Sequence, residues 1–187
     1  MLMQANSLAP TLLLSMPQMT DPNFARSVVL LCRHEPQGAM GLVVNRVTDT
    51  LASSVVLLDP PPQRDSGLLA WVGGPVEQQR GWLLLGYDPG TPEAMAVGHD
   101  LYLSASADVL RSLIEGREDG RTDHRFFFGY AGWGDGQLES ELAASAWLTV
   151  DVTRALVFET PSERMWEAAI RTLGIDPYAL QMTGGVH

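Results

Sequence analysis

Cysteine is almost missing from this 187-residue chain: Cys32 stands alone, which excludes an intrachain disulfide. Positive charge is scarce too, with 12 Lys+Arg against 22 Asp+Glu and a net charge of −10. Proteins that grip nucleic acid neutralise phosphates with a basic stripe. Here the densest basic group, Arg111, Arg117, Arg121 and Arg125, is interrupted by Glu115, Glu118, Asp119 and Asp123. Direct binding of nucleic acid, or of an anionic membrane surface, is therefore disfavoured. Long apolar runs are absent: SVVLLC (27–32) and GWLLLGY (81–87) are far too short to span a bilayer. The N-terminus lacks the basic residues that open a signal peptide, since the first Lys or Arg is Arg26, and its apolar TLLL is bounded by Pro10 and Pro17. It is expected to belong to the mature protein, and the expected compartment is the cytoplasm.

What is present is enough for a core. Hydrophobic residues make up 45% of the chain and charged ones 18%, a balance that suits one folded domain over 1–187. Strands are expected at 11–15, 27–34 and 39–45, the last two forming a hairpin about Pro36-Gln37-Gly38. The continuous apolar run at 27–32 predicts a strand buried on both faces. A short helix is expected within 46–58. Excursions without regular structure are expected at 59–67, which holds three prolines, and at 87–95. Further strands are expected at 68–74, 81–87, 99–103, 124–130, 146–150 and 155–159, with VGGPV (72–76) as a sharp turn.

Three helices complete the reading. Residues 106–116 carry Ser106 as N-cap, Asp108 in the first turn, Val109, Leu110, Leu113 and Ile114 on one face, and Gly116 at the end. Residues 136–145 follow Asp135 as N-cap. In 160–174, Thr160, Pro161 and Glu163 have the spacing of an N-cap, first-turn proline and capping box, and Met165, Trp166, Ala169, Ile170 and Leu173 form the inner face. Because strands follow one another directly, the expected class is α+β, with a mixed, largely antiparallel sheet.

The stretch GYAGWGDGQLESELAASAWL (129–148) has the strand, glycine loop and helix layout of many phosphate sites. It lacks the Lys-Ser/Thr of a Walker loop, its glycine spacing is not that of a dinucleotide fingerprint, and Asp135 would repel an anion. A glycine-built turn is the favoured reading. Trp133, between Gly132 and Gly134, is either exposed to a ligand or folded back on the sheet. Four other tryptophans, at 71, 82, 147 and 166, are expected in the core. Cys32 and His34, two apart on a strand, share a face in regular pleating. A thiol–imidazole pair or a partial zinc site is one reading; a buried thiol beside a strand-end histidine is the favoured one. Glu139 and Glu141 point in different directions on their helix and make a poor catalytic pair. The remaining histidines, His99, His124 and His187, have no metal spacing, and no Gly-x-Ser-x-Gly elbow occurs.

Four segments in order, MPQMTDPNFARSVVLLCRHEPQGAMGLVVNR (16–46), WVGGPVEQQRGWLLL (71–85), GYAGWGDGQLESELAASAWL (129–148) and the tail helix with Trp166 and LGID (173–176), resemble the YqgE/AlgH family of bacterial proteins. The resemblance spans about residues 8–186. It implies a compact branched sheet surrounded by helices and a bacterial, cytosolic protein. One branch of this largely uncharacterised family is named for transcriptional regulation of alginate synthesis, and the family carries no agreed catalytic residues. Where members commonly have histidine, this chain has Leu85 and Gly185. His34, Asn45, Tyr130, Trp133, Gln137 and Glu141 remain as candidate contacts to a ligand or partner. Together these features favour a non-enzymatic regulatory or interaction protein, without metal or cofactor, whose effect on transcription is indirect. The alternative is a small-molecule or nucleotide binder, or an enzyme, using the 129–137 loop.

Overall fold

A computed structural model describes residues 6–118 and 120–183. In chain order it contains β1 (Thr11–Ser15), β2 (Val28–Glu35), β3 (Gly38–Val43), β4 (Val47–Leu51), α1 (Ala52–Val55), β5 (Leu69–Val72), β6 (Val76–Leu85), β7 (Met95–Gly98) and β8 (Leu101–Ser104). Then follow α2 (Ala107–Ile114), β9 (His124–Trp133), α3 (Gln137–Ala143) and β10 (Trp147–Val150), a π-helical turn over Ala155–Glu159, a 3₁₀ turn over Ser162–Arg164, α4 (Met165–Arg171) and α5 (Pro177–Thr183). The fold is α+β, a single domain with a mostly antiparallel sheet.

The sheet branches at β9. Its main path runs β10-β1-β2-β3-β9-β6-β8-β7. The early half of β9 pairs antiparallel with β6 and parallel with β5, which carries β4 at its other side. The late half of β9 turns to β3, with Ala39 opposite Trp133 and Gly41 opposite Ala131. The VGGPV link between β5 and β6 is wedged into that branch. Gly73 donates to Phe128 O at 2.8 Å and accepts from Val43 N at 2.8 Å, so its backbone bridges β3 and β9. Gly129 (φ +72°) and Gly74 (φ +153°) face each other there, and a Cβ on either would collide with backbone atoms of the other strand. Only glycine fits at this crossing.

Burial on both sheet faces explains the apolar run of β2. Val28, Leu30 and Cys32 enter a core under the π-helical turn and α4, while Val29 and Leu31 enter a second core under α3. A third core packs α1 and α2 on Leu83, Leu85 and Phe126. In α2, the Ser106 hydroxyl accepts from Val109 N at 3.3 Å, the expected cap.

Several expectations are corrected. The short helix expected within 46–58 is present as the four-residue α1, but the alternating VTDTL ahead of it is an unexpected strand that pairs with β5. Residues 129–133 are not a turn but the end of β9, where Gly129 serves a close backbone approach. Likewise β6 starts at Val76, absorbing the expected linker. The expected 99–103 strand is β8, entered from the unexpected β7 through His99 and Asp100, whose φ of 52° and 59° suit a two-residue hairpin turn. The expected strand 155–159 is instead a π-helical turn. Thr153 Oγ1 accepts from Leu156 N at 3.1 Å, and three consecutive apolar side chains are buried, a pattern that a short apolar run shares with a strand.

Thr160 does not cap the tail helix: its hydroxyl donates to Ala155 O at 2.9 Å and Glu163 makes no capping box. The helix proper begins at Met165, and Leu173 is exposed rather than on the inner face. Asp135 is not the cap of α3 either. Gly136, at φ 68°, occupies that position, and the Gln137 side chain accepts from Gly134 N at 3.0 Å. His187 and Gly185 lie outside the described residues. Among the described residues no helix is long and apolar enough to cross a membrane.

Candidate functional site

The candidate residues split into two groups. Around α3, the Glu141 carboxylate sits at the centre of a closed set. Its Oε2 accepts from Trp133 Nε1 at 2.9 Å and from Trp147 Nε1 at 2.7 Å, and its Oε1 accepts from Gln137 Nε2 at 3.0 Å. The two indoles meet edge to face, 6.0 Å between ring centroids. Trp133 is 6% exposed, so it folds back onto the sheet. A carboxylate that accepts two indole N–H groups is oriented by them and fixes both rings in turn. Trp133, Gln137 and Glu141 thus consume one another's polar atoms.

His34 is held in a neighbouring arrangement. Its Nδ1 accepts from Leu8 N at 3.0 Å, which leaves Nε2 as the protonated nitrogen, 2.5 Å from Glu139 Oε1. That hydrogen bond holds the Glu139 carboxyl below the usual carboxylate range. The thiol–imidazole reading of Cys32 and His34 is corrected by a bulge: the register shifts between Leu31 and Arg33, and the two side chains serve opposite faces. Burial pushes the Cys32 thiol up to about 12, which leaves it unreactive. The favoured reading, a buried thiol beside a strand-end histidine, fits this geometry.

Asn45 is a structural clamp on the β1–β2 connection. Its Oδ1 accepts from Val28 N at 3.0 Å and its Nδ2 donates to Arg26 O at 3.0 Å. Tyr130 is different. It is half-buried, edge-on to Trp82 with ring centroids 6.3 Å apart, and borders a cavity of about 380 Å³ with Arg33, Gln37, Met40 and Val76. Leu85, one of the departures from the family pattern, is fully buried in β6 opposite His124. Burial is the largest cause that lowers the His124 pKa, with Arg125 next. Among the described residues no three His, Cys, Asp or Glu side chains are grouped to hold a metal ion.

A different part of the molecule carries open surface that the sequence reading did not single out. Val47, Leu51, Val55, Leu57, Leu69 and Val72 are exposed apolar residues in one flank, β4–α1–β5, and Leu57 is 98% exposed. Beside them run two adjoining cavities of about 340 and 510 Å³, which share Val55, Gln79 and Phe128. The sequence signal was faint: VEQQRGW has no motif, and only the failure of its alternation hints at the bulge between Val76 and Gly81.

A branched, mostly antiparallel sheet crossed by a Gly-Gly link, with a carboxylate clasped by two tryptophans, defines a particular class of single-domain α+β protein. Solved structures place that class. The solution structure of the AlgH protein from Pseudomonas aeruginosa superimposes with a TM-score of 0.77, at 35% identity, over 100% of this chain and 99% of that one. A crystal structure of a Corynebacterium diphtheriae protein shares the fold, with a TM-score of 0.71 at 22% identity over 97% of this chain and 94% of that one. A UPF0301 protein of Jannaschia sp. is 38% identical over 185 residues, covering 96% of this chain and 95% of its own. The sequence model of the AlgH-like family, DUF179, matches residues 12–178, and the chain belongs to that family.

Proposed function

We propose that this protein is a non-enzymatic interaction protein that acts through a protein partner in the bacterial cytoplasm, with any effect on transcription indirect. The observation that carries this reading is the exposed flank: of the exposed large apolar residues, Val47, Leu51, Val55, Leu57, Leu69 and Val72 cluster in the one segment β4–α1–β5, while Met95, Leu173, Tyr178 and Met182 lie elsewhere in the chain. Clustered apolar exposure marks interaction surfaces, whereas scattered single residues do not. The occupied state of Glu141, Gln137 and Trp133 supports it too, since groups already satisfied are poorly placed to act on a substrate. The acidic balance supports an indirect route to any promoter.

The test pairs two measurements. In affinity purification from the native cytoplasm, a saturable partner should be lost with the double variant Val47→Ser/Leu69→Ser, both sites being exposed. In a gel-shift titration, promoter DNA should show no tight binding; tight binding that weakens steeply with salt would sink the indirect route. The cavity beside Tyr130 favours one second reading, a small-ligand site next to 129–133. A ligand at a hundredfold over its dissociation constant stabilises by about 2.7 kcal/mol, so a thermal-shift panel of nucleotides and metabolites would reveal it, and Tyr130→Ala should abolish the shift.

A further inference from the structure

The two adjoining cavities beside α1 form one elongated cleft along β6. Gln79 lies at their junction, Gly74 and Gln78 line one end, and Gly81 and Leu83 the other. Its apolar wall comes from Val55, Val72, Leu83, Leu110, Phe126 and Phe128. Among the described residues no charged side chain lines either part, although the chain as a whole carries −10. Gly81 lets the Phe126 ring lie close against β6, because a Cβ there would press on that ring at 2.8 Å. The lining extends from Gly74 through Gln79 to Ser106 and Leu110, and the two volumes fall in the range of small-molecule sites, about 300–1,000 Å³.

Polarity is confined to a few points. At the α2 end the Ser106 hydroxyl oxygen accepts from Val109 N, and its own proton has no acceptor among the described residues. The Gln78 and Gln79 amides likewise have no partner among the described residues. Just behind Ser106 stand two carboxylates. Glu93 accepts from Ser104 Oγ at 2.9 Å, and Asp108 sits in the first turn of α2. Those two negative charges offset the attraction that the N-terminal end of α2 would exert on an anionic head group, while Ser106 can donate to a neutral oxygen.

We infer that this cleft binds a linear aliphatic ligand with an uncharged, oxygen-bearing head: the chain lies on Phe128 and Leu83, and the head reaches Ser106. An alcohol, ester or amide of a medium-length acyl chain fits; the free carboxylate does not. The cleft shares Val55, Leu57 and Val72 with the exposed flank of the protein-partner reading, while Val47 and Leu69 lie outside it, so Val47→Ser/Leu69→Ser tests the partner reading without touching the cleft lining.

The test uses the full chain and defined probes. The neutral fluorophore N-phenyl-1-naphthylamine should bind saturably, and dodecanol should displace it. Dodecanoate at pH 8, where it is ionised, should displace it at least tenfold more weakly. Val55→Arg, at an exposed position shared by both halves of the cleft, should weaken dodecanol at least tenfold with the melting temperature unchanged. Ser106→Gly keeps a tolerated helix start while removing the donor, and should narrow the gap between dodecanol and dodecane. Three results would overturn the inference: no saturable binding of the fluorophore, equal displacement by dodecanol and dodecanoate, or full binding by a folded Val55→Arg protein. Should Val55→Arg shift the melt, Gln79→Arg, also exposed and at the junction, repeats the measurement.

Discussion

The α3 side of the molecule and the β4–α1–β5 flank use the same ingredients, strands with a short helix, to opposite ends. Around α3 every candidate polar atom has a protein partner: Glu141 serves two indoles and Gln137, His34 serves Leu8 and Glu139, and Gly134 is capped by Gln137. On the flank, α1 is a single turn, its N-cap Leu51 makes no side-chain capping bond, and the apolar residues face outward. A glycine-rich stretch that looks like a ligand loop is therefore the more closed region. The stretch with no motif is the more open one. Glycines can signal close packing of backbones as readily as the approach of a ligand.

The largest effect that would sharpen this contrast is expected at the sheet branch. Gly129→Ala forces a left-handed residue to carry a Cβ, and drives that Cβ into the backbone of Gly74. The left-handed conformation and the forced backbone shift together should cost roughly 3–5 kcal/mol. Against a typical total of about 5–15 kcal/mol, that is a large share of the stability, and the urea midpoint should fall sharply. Urea denaturation followed by tryptophan fluorescence checks this, with wild type as reference. A melt within about 1 kcal/mol of wild type would mean that the branch relaxes easily, and the contrast would fail.

Next comes Glu141→Leu, which leaves the indole N–H groups of Trp133 and Trp147 without an acceptor in a buried setting. At about 1–3 kcal/mol for each of the two unsatisfied donors, a loss of roughly 2–6 kcal/mol is expected. For a chain of this size that corresponds to a fall in Tm of about 5–20 °C. Glu141→Gln keeps one acceptor oxygen and should lose less than half as much. Equal losses in the two variants would show that charge, not hydrogen-bond acceptance, is what the tryptophans require.

The legible parts of the fold were those governed by local pattern. The two-faced burial of β2, the β2–β3 hairpin and the Ser106 cap of α2 follow from apolar runs, a turn tripeptide and an N-cap residue. The illegible parts depended on what lies far away in sequence. Gly129 and Gly74 are separated along the chain, and nothing local distinguishes a strand crossing from a loop. Thr160, Pro161 and Glu163 have capping-box spacing, yet the hydroxyl of Thr160 found Ala155 O because the π-helical turn brings it there. For the same reason the pairing of Cys32 with His34 failed: alternation holds only until a bulge, and the bulge is set by β3. At the candidate site the sequence offered Trp133, Gln137 and Glu141 as separate candidate contacts, and it left open whether Trp133 folds back onto the sheet. It could not mark that Trp147 shares the same carboxylate oxygen and closes the set.

The smallest stability effect is expected on the flank, and its smallness is the point. Leu57 is 98% exposed and follows α1 in irregular backbone. A leucine that buries almost nothing gains almost nothing from the hydrophobic effect in the isolated chain, so Leu57→Ser should change stability by no more than about 0.5 kcal/mol. The same substitution removes one of the six side chains that make the flank apolar, and should weaken capture of a protein partner by several-fold. Urea denaturation and affinity purification on the same preparations separate the two outcomes. A residue selected for folding would show the reverse, a loss of stability with capture unchanged. If Leu57→Ser lowered stability by 2 kcal/mol or more, as a buried leucine does when truncated, the flank would be part of the core of this chain. The difference between the closed α3 region and an open interaction surface would then disappear.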